Sequence, residues 1–183
     1  DMVRDLERIV EKIKEDIKEL VKRNREVTEK VVRDVEELVK TNREVVREAT
    51  RRVEKLVEEE DREEVRRIVE ELRRRLTKSI ENSERVVEKL KKDLEKSNRD
   101  LEDLVRRLTE LLKKIIEEIR RVKDEDTLRK LLKTLRELAR RVLEEARKII
   151  ERSKELAERV LRYLKRDIEE SKKIVKEIED RAR

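Results

Sequence analysis

The chain has 183 residues, of which 57% are charged, 34% hydrophobic and 1% aromatic, and its net charge at pH 7 is +6. Glycine, proline, cysteine, histidine, tryptophan, phenylalanine and glutamine are all missing. The lack of cysteine and histidine excludes disulfides, cysteine nucleophiles, thiolate zinc sites and a Ser-His-Asp triad, and the lack of glycine excludes the common phosphate-binding loops. We therefore expect no enzymatic activity, no metal and no cofactor.

The missing glycine and proline also argue against sheets and barrels, whose tight turns need these residues. The apolar pattern is interrupted twice, which predicts three helices over about 2–58, 62–122 and 127–181. Short loops between long helices favour an up-down-up topology. The sequence thus predicts an all-α protein, a long, straight, antiparallel three-helix bundle that forms a single unit over residues 1–183.

Capping residues stand at both interruptions. Asp61 is a good N-cap for the second helix, and Glu64, three residues later, completes a variant of the capping box. For the third helix either Asp124 or Asp126 can be the cap, and acidic side chains there suit the positive end of the helix.

Each predicted helix repeats its pattern at a fixed interval. The segment Asn-Arg-Glu-Val begins at Asn24 and again at Asn42, which defines an 18-residue period. Leucines recur at the same spacing: Leu20, Leu38 and Leu56 in the first helix, Leu72, Leu90 and Leu108 in the second, and Leu138 and Leu156 in the third. One such period makes five turns of an ordinary α-helix, so this repeat imposes neither a left-handed nor a right-handed supercoil.

Polar residues occupy several positions within the apolar phase. They are Asn24, Asn42, Ser79, Ser83, Ser97, Ser153 and Ser171, with Asn98 beside Ser97. In an antiparallel pair of helices the numbers of facing residues have a constant sum. Asn24 with Ser97 and Asn42 with Ser79 both give 121. Helix three runs parallel to helix one, and a constant offset of 129 brings Ser153 and Ser171 to the same two levels.

The arithmetic predicts two buried polar layers. One contains Asn24, Ser97 or Asn98, and Ser153, and the other contains Asn42, Ser79 with or without Ser83, and Ser171. Facing amides and hydroxyls can satisfy one another, whereas any one of them against leucine is penalised. Such layers would set the helix register, which an 18-residue repeat alone leaves degenerate.

Two other interpretations of these residues stay open. The serines could pack without forming a network, or the layers could bind an ion or small ligand, to which only Asp167 would add a carboxylate. Thr28 and Thr50 lie at the edges of the apolar stripe, where a threonine hydroxyl usually bonds to its own helix backbone.

The whole chain resembles de novo designed three-helix bundles built on parametric backbones with 18-residue repeats. The repeat, the missing residue types, the matched helix lengths and the surface of arginine, lysine and glutamate carry this resemblance. It implies a synthetic, hyperstable scaffold with buried hydrogen-bond networks. Such designs often place glycine in their loops, and this chain does not.

Charge and hydropathy bear on partners and location. The 55 basic and 49 acidic residues are interspersed, which favours solvated helix faces over a nucleic-acid surface. No segment approaches the roughly 18 apolar residues of a membrane span, and residues 1–5 do not resemble a signal peptide. We expect a soluble protein from recombinant cytoplasmic expression, with no targeting signal.

We therefore expect a structural scaffold with no natural biochemical function, monomeric and needing no partner. The alternative is an interaction module that binds a fourth helix or a second copy of itself. Val32 and the doubled positions Val45-Val46 and Leu111-Leu112 widen the apolar stripe and would serve that purpose. The two hypotheses differ in the molecular mass measured in solution.

Overall fold

The computed structural model describes residues 2–59 and 62–181. They form three α-helices, α1 (Met2–Glu59), α2 (Glu63–Arg121) and α3 (Glu125–Arg181). The three helices pack pairwise against one another and the described residues contain no strand, so the prediction of an all-α three-helix bundle is confirmed. The largest difference from the predicted boundaries is at α3, which begins two residues earlier than expected.

The local sequence explains how α2 and α3 begin. Asp124 precedes α3, and its carboxylate accepts hydrogen bonds from the backbone N–H of Asp126 at 3.4 Å and from the hydroxyl of Thr127 at 3.0 Å. Asp124 is therefore the N-cap, while Asp126 lies inside the first turn. Glu64 lies in the first turn of α2, and its proposed partner Asp61 is outside the described residues.

The chain divides into two compact units, each of which contains a segment of all three helices. Unit 1 comprises Asp1–Glu29 and Asp93–Lys154, and unit 2 comprises Lys30–Lys92 and Glu155–Arg183. Each unit has a hydrophobic core of its own. Removal of these aliphatic side chains from water, at about 25 cal/mol per Å² of apolar surface, is the main term that stabilises each unit.

The core residues come from the apolar phase of the repeat. In unit 1 the buried clusters contain Leu6, Val10, Ile17, Leu108, Leu112, Ile119, Leu128, Leu135 and Val142. In unit 2 the buried cluster contains Val46, Ala49, Val53, Val65, Val69, Leu72, Leu76, Ile174 and Ile178. Leu72, Leu90 and Leu108, which follow one another at intervals of one repeat on α2, are all buried.

Ion pairs between α1 and α2 show which residues of the two helices face each other. The two residue numbers add to 127 in each of the following pairs. They are Glu7–Arg120 and Arg25–Glu102 in unit 1, and Glu36–Lys91, Arg43–Glu84 and Glu54–Arg73 in unit 2. A constant sum means that α1 and α2 are antiparallel in both units.

In unit 2 the contacts between α1 and α3 follow the opposite rule. Asn42 contacts Asp167, and Arg52 contacts Glu179. The residue numbers of the two partners rise together, so these segments are parallel.

Candidate functional site: buried polar side chains between the helices

In unit 1 three polar side chains form a chain of hydrogen bonds between α1 and α2, which we call the Asn98 cluster (Asn24, Thr28 and Asn98). Nδ2 of Asn24 donates to Oδ1 of Asn98 at 2.9 Å, and Nδ2 of Asn98 donates to Oγ1 of Thr28 at 3.0 Å. The Thr28 hydroxyl donates to the backbone carbonyl of Arg25 at 2.9 Å. The cluster thus ends on the backbone of α1, as expected for a helical threonine.

Of the two alternatives that the sequence left open on α2, Asn98 joins the cluster and Ser97 does not, and the predicted Ser153 does not join it either. Ser153 is buried on α3, but its hydroxyl donates to the carbonyl of Ile149 in its own helix at 3.1 Å. Ser97 is partly buried beside Asn98, and none of the cluster's hydrogen bonds involves it. The polar contacts in unit 1 therefore connect two helices, with Asn98 rather than Ser97 as the partner of Asn24.

In unit 2 four polar side chains meet between all three helices, which we call the Asp167 cluster (Asn42, Ser79, Ser83 and Asp167). Ser79 donates to Oδ1 of Asp167 at 2.6 Å, and Ser83 donates to Oδ2. From α1, Nδ2 of Asn42 reaches the same Oδ2 at 3.4 Å. Hydrogen bonds to a charged acceptor are about twice as strong as neutral ones of the same geometry, so the short bonds from the two serines are the main link in this cluster.

The carboxylate of Asp167 is partly buried, and three donors offset the cost of removing it from water. Its charge also acts on Tyr163, one turn earlier on α3. Burial raises the pKa of the Tyr163 hydroxyl above its usual value, and the negative charge of Asp167 raises this pKa further. Tyr163 is 39% exposed and is the one tyrosine of a chain without tryptophan, so an absorbance titration reports its ionisation alone.

Sequence reasoning named Asp167 as the one carboxylate that could join the layers, but only for the ligand-binding interpretation, and assigned it to neither layer. The signal was its phase: one and two repeats earlier, the same position holds Ile149 and Leu131. Asp167, rather than the expected Ser171, is the partner of Asn42. The residue numbers of Asn42 and Asp167 differ by 125, so the contact lies about one turn before the position that the offset of 129 predicts.

Ser171 lies on the same face of α3 as Asp167 and is fully buried. Its Oγ has no hydrogen-bond partner in the structure, and neither has the buried Oδ1 of Asn42. Of the residues predicted for the second layer, Asn42, Ser79 and Ser83 are thus joined through Asp167. Ser171 is buried on the same face as Asp167 without contributing to those bonds.

The described residues hold no group of three His, Cys, Asp or Glu side chains that could bind a metal ion. Within the same residues, no helix has an apolar stretch long enough to cross a membrane. The geometry of the two polar clusters shows directional pairing of donors and acceptors across helices. Neither the protein-family models, nor the curated proteins, nor the solved structures include a match to this chain.

Proposed function

We propose that this chain is a designed structural scaffold, and that its buried polar side chains determine which residues of neighbouring helices face each other. The observation that carries the proposal is the hydrogen bonding of Asp167 to Asn42 on α1 and to Ser79 and Ser83 on α2. No catalytic step, cofactor or obligatory partner is part of this function.

The 18-residue repeat creates the problem that these contacts solve. If α2 slid by one repeat, apolar residues would still face apolar residues, because Leu72, Leu90 and Leu108 share one phase. The polar contacts would not survive the slip. Asp167 would then face Leu101 in place of Ser83, or Val65 if the slip were in the other direction. A buried polar group that loses its partner costs about 1–3 kcal/mol.

Surface charges penalise the same slips. A slip of one repeat changes the sum of facing residue numbers from 127 by 18. In one direction Glu7 would then face Glu102, and in the other direction Arg25 would face Arg120. Each exposed pair contributes only about 0.2–1 kcal/mol, so the ion pairs add a smaller penalty to the one that the buried contacts impose on these slips.

The incorrect arrangements that these contacts exclude are mainly those in which helices of different chains pack together. Only residues 122–124 separate α2 from α3, so the helices of one chain cannot slide past each other by a whole repeat. Helices of two different chains are not tethered in this way. Loss of the polar contacts should therefore appear as mixed association states rather than as unfolding.

The proposed design origin is supported by the sequence itself. The Asn-Arg-Glu-Val segments that start at Asn24 and Asn42 are identical, and seven amino-acid types do not occur. Strong helix formers fill the charged surface, which is the choice that idealised helical backbones call for.

The test is to make the Asp167 cluster apolar and to count species. The variant carries Asn42→Leu, Ser79→Ala, Ser83→Ala and Asp167→Leu. We expect the parent chain to be one monomeric species in size-exclusion chromatography with light scattering, and the variant to be a mixture of oligomers. A matched control is Thr41→Ala with Thr77→Ala, two exposed threonines that bond only to their own helices. A variant that stays a single monomer would contradict the proposed role.

A second candidate function is a module that associates through an exposed apolar edge. Leu111 is 42% exposed while its neighbour Leu112 is fully buried, and Val27 is 60% exposed. In the other doubled position, Val46 is buried and Val45 partly buried. Leu111 and Val27 are thus the apolar side chains most available to a partner. The same light-scattering measurement on the parent chain separates this candidate from a monomeric scaffold.

A further inference from the structure

Two buried oxygen atoms in unit 2 have no hydrogen-bond partner, Oδ1 of Asn42 and Oγ of Ser171. Asn42 is 2% exposed and Ser171 is 0% exposed, so bulk water does not reach them. Native proteins leave few buried polar atoms unpaired, because each loses its hydrogen bonds to water on folding. We therefore expect each of these two oxygen atoms to have a hydrogen-bond partner in the folded protein.

The other side chains of the Asp167 cluster cannot supply a donor to Asn42 Oδ1. The Asp167 carboxylate only accepts, and Ser79 and Ser83 have one hydroxyl hydrogen each, which they donate to Asp167. Turning the Asn42 amide over does not help, because its oxygen would then face the carboxylate that its nitrogen now contacts. The donor for Oδ1 has to come from outside the Asp167 cluster.

The size of its side chains favours space for a small molecule in this layer. Its three serines are smaller than the residues at the equivalent positions two repeats away along each helix. Asn42, Ser79, Ser83, Asp167 and Ser171 correspond to Leu6, Ile115, Ile119, Leu131 and Leu135. Of the latter, Leu6, Ile119 and Leu135 are fully buried in unit 1. Three serines in place of two isoleucines and a leucine leave space in a bundle of the same construction.

We propose that the Asp167 cluster binds one internal water molecule, which donates a hydrogen bond to Asn42 Oδ1 and accepts one from the Ser171 hydroxyl. Its second hydrogen remains available to the Asp167 carboxylate. A polar site with two to four partners is the kind that holds ordered water inside proteins. An alkali cation fits less well, because it cannot accept the hydroxyl hydrogen of Ser171.

A high-resolution crystal structure of the full chain tests this inference. We expect an isolated water about 2.7–3.2 Å from both Asn42 Oδ1 and Ser171 Oγ. Two arrangements would overturn the inference: Ser171 bonded directly to Asn42, or Ser171 turned onto its own helix as Ser153 is. Crystals grown with thallium(I) in place of sodium separate water from a cation, and an anomalous peak at the site would show that the ligand is a cation.

A solution measurement uses two buried serines of α3 that occupy the same position in successive repeats. Ser171→Val removes the hydroxyl and fills its space, and Ser153→Val makes the same change where the hydroxyl already bonds to Ile149. We expect oxygen-17 relaxation dispersion to show one fewer long-lived water in Ser171→Val than in the parent, and no loss in Ser153→Val. Equal water counts in the parent and in Ser171→Val would refute the proposal. If Ser171→Val does not fold, the crystal structure of the parent decides.

The proposed water site and the proposed register role involve the same residues, but they are tested by different measurements. The bound water is read from the parent chain, in density or relaxation, whereas the register role is read from the association state of an apolar variant. A parent without the water would leave the hydrogen bonds of Asp167 in place. A variant that stays monomeric would say nothing against the water.

Discussion

Asn24 of α1 donates a 2.9 Å hydrogen bond to Asn98 of α2, and Asn98 in turn donates a hydrogen bond to Thr28 of α1. Replacing Asn24 alone with leucine leaves Oδ1 of Asn98 without its donor in a partly buried site. We expect this variant to lose about 1–3 kcal/mol of unfolding free energy, measured by urea denaturation.

The double variant Asn24→Leu with Asn98→Leu should be at least as stable as Asn24→Leu alone. Both members of the bond are then removed together, and Thr28 keeps its bond to the Arg25 carbonyl. Ser153→Ala is the control, since its hydroxyl bonds only within α3. If the loss in the double variant equals the sum of the losses in Asn24→Leu and in Asn98→Leu, the two asparagines are not coupled.

Asp167→Asn tests the cluster of unit 2 with an almost isosteric side chain. Asparagine retains one acceptor oxygen, so Ser79 and Ser83 can no longer both donate to an ionised carboxylate. We expect a loss of about 1–3 kcal/mol in urea denaturation. Glu170→Gln is the matched control: it removes a charge from an exposed neighbour on α3, whose contact with Arg75 is 4.0 Å. A control that loses as much as Asp167→Asn would assign the effect to net charge.

The ionisation of Tyr163 should report the charge of Asp167. Because its pKa in the fold lies above the usual 10.0, the neutral hydroxyl contributes stability below that value. This contribution is lost as the pH rises through the raised pKa. In an absorbance titration we expect Asp167→Asn to lower the pKa of Tyr163 while burial keeps it above the usual value. An unchanged pKa would mean that the carboxylate does not act on this ring.

The sequence predicted the pairing of α1 with α2 well, because leucines and asparagines at an exact repeat leave few ways to align an antiparallel pair. Asn24 was expected to face Ser97, with numbers adding to 121, or the adjacent Asn98, and the observed partners Asn24 and Asn98 add to 122. The choice between Ser97 and Asn98 depends on side-chain length, since only the longer asparagine spans from Asn24 to Thr28.

The role of Asp167 could not be predicted in the same way. The expected offset between α1 and α3 came from matching Asn with Ser, which assumes that like residues share a level. In the structure Asn42 bonds to a carboxylate one turn before Ser171, because an ionised acceptor attracts donors from two helices. The rotamer that turns Ser153 onto Ile149 is likewise a local choice that no spacing in the sequence encodes.

Thermal stability follows from the composition of the helices. No described residue has a positive φ or a cis peptide bond, and no glycine or proline interrupts a helix. We expect the helical circular dichroism signal to melt cooperatively with a midpoint above about 90 °C. A midpoint below about 70 °C would contradict the expected stability, and it would mean that the strong helix formers do not offset the free-energy cost of the buried polar atoms.

The last prediction concerns the ion pairs between α1 and α2. Arg43→Glu places a glutamate opposite Glu84 in unit 2, and Arg43→Glu with Glu84→Arg restores an opposite-charge pair in reversed order. We expect the single variant to lose up to about 1 kcal/mol at low salt, and the double variant to recover most of that loss. In about 1 M salt, where screening acts within roughly 3 Å, the difference should nearly vanish. Arg23→Glu is the control, because the ion pair that Arg23 forms among the described residues is with Glu19 of its own helix. If the double variant fails to recover at low salt, Arg43 stabilises unit 2 through the packing of its alkyl chain rather than through its charge.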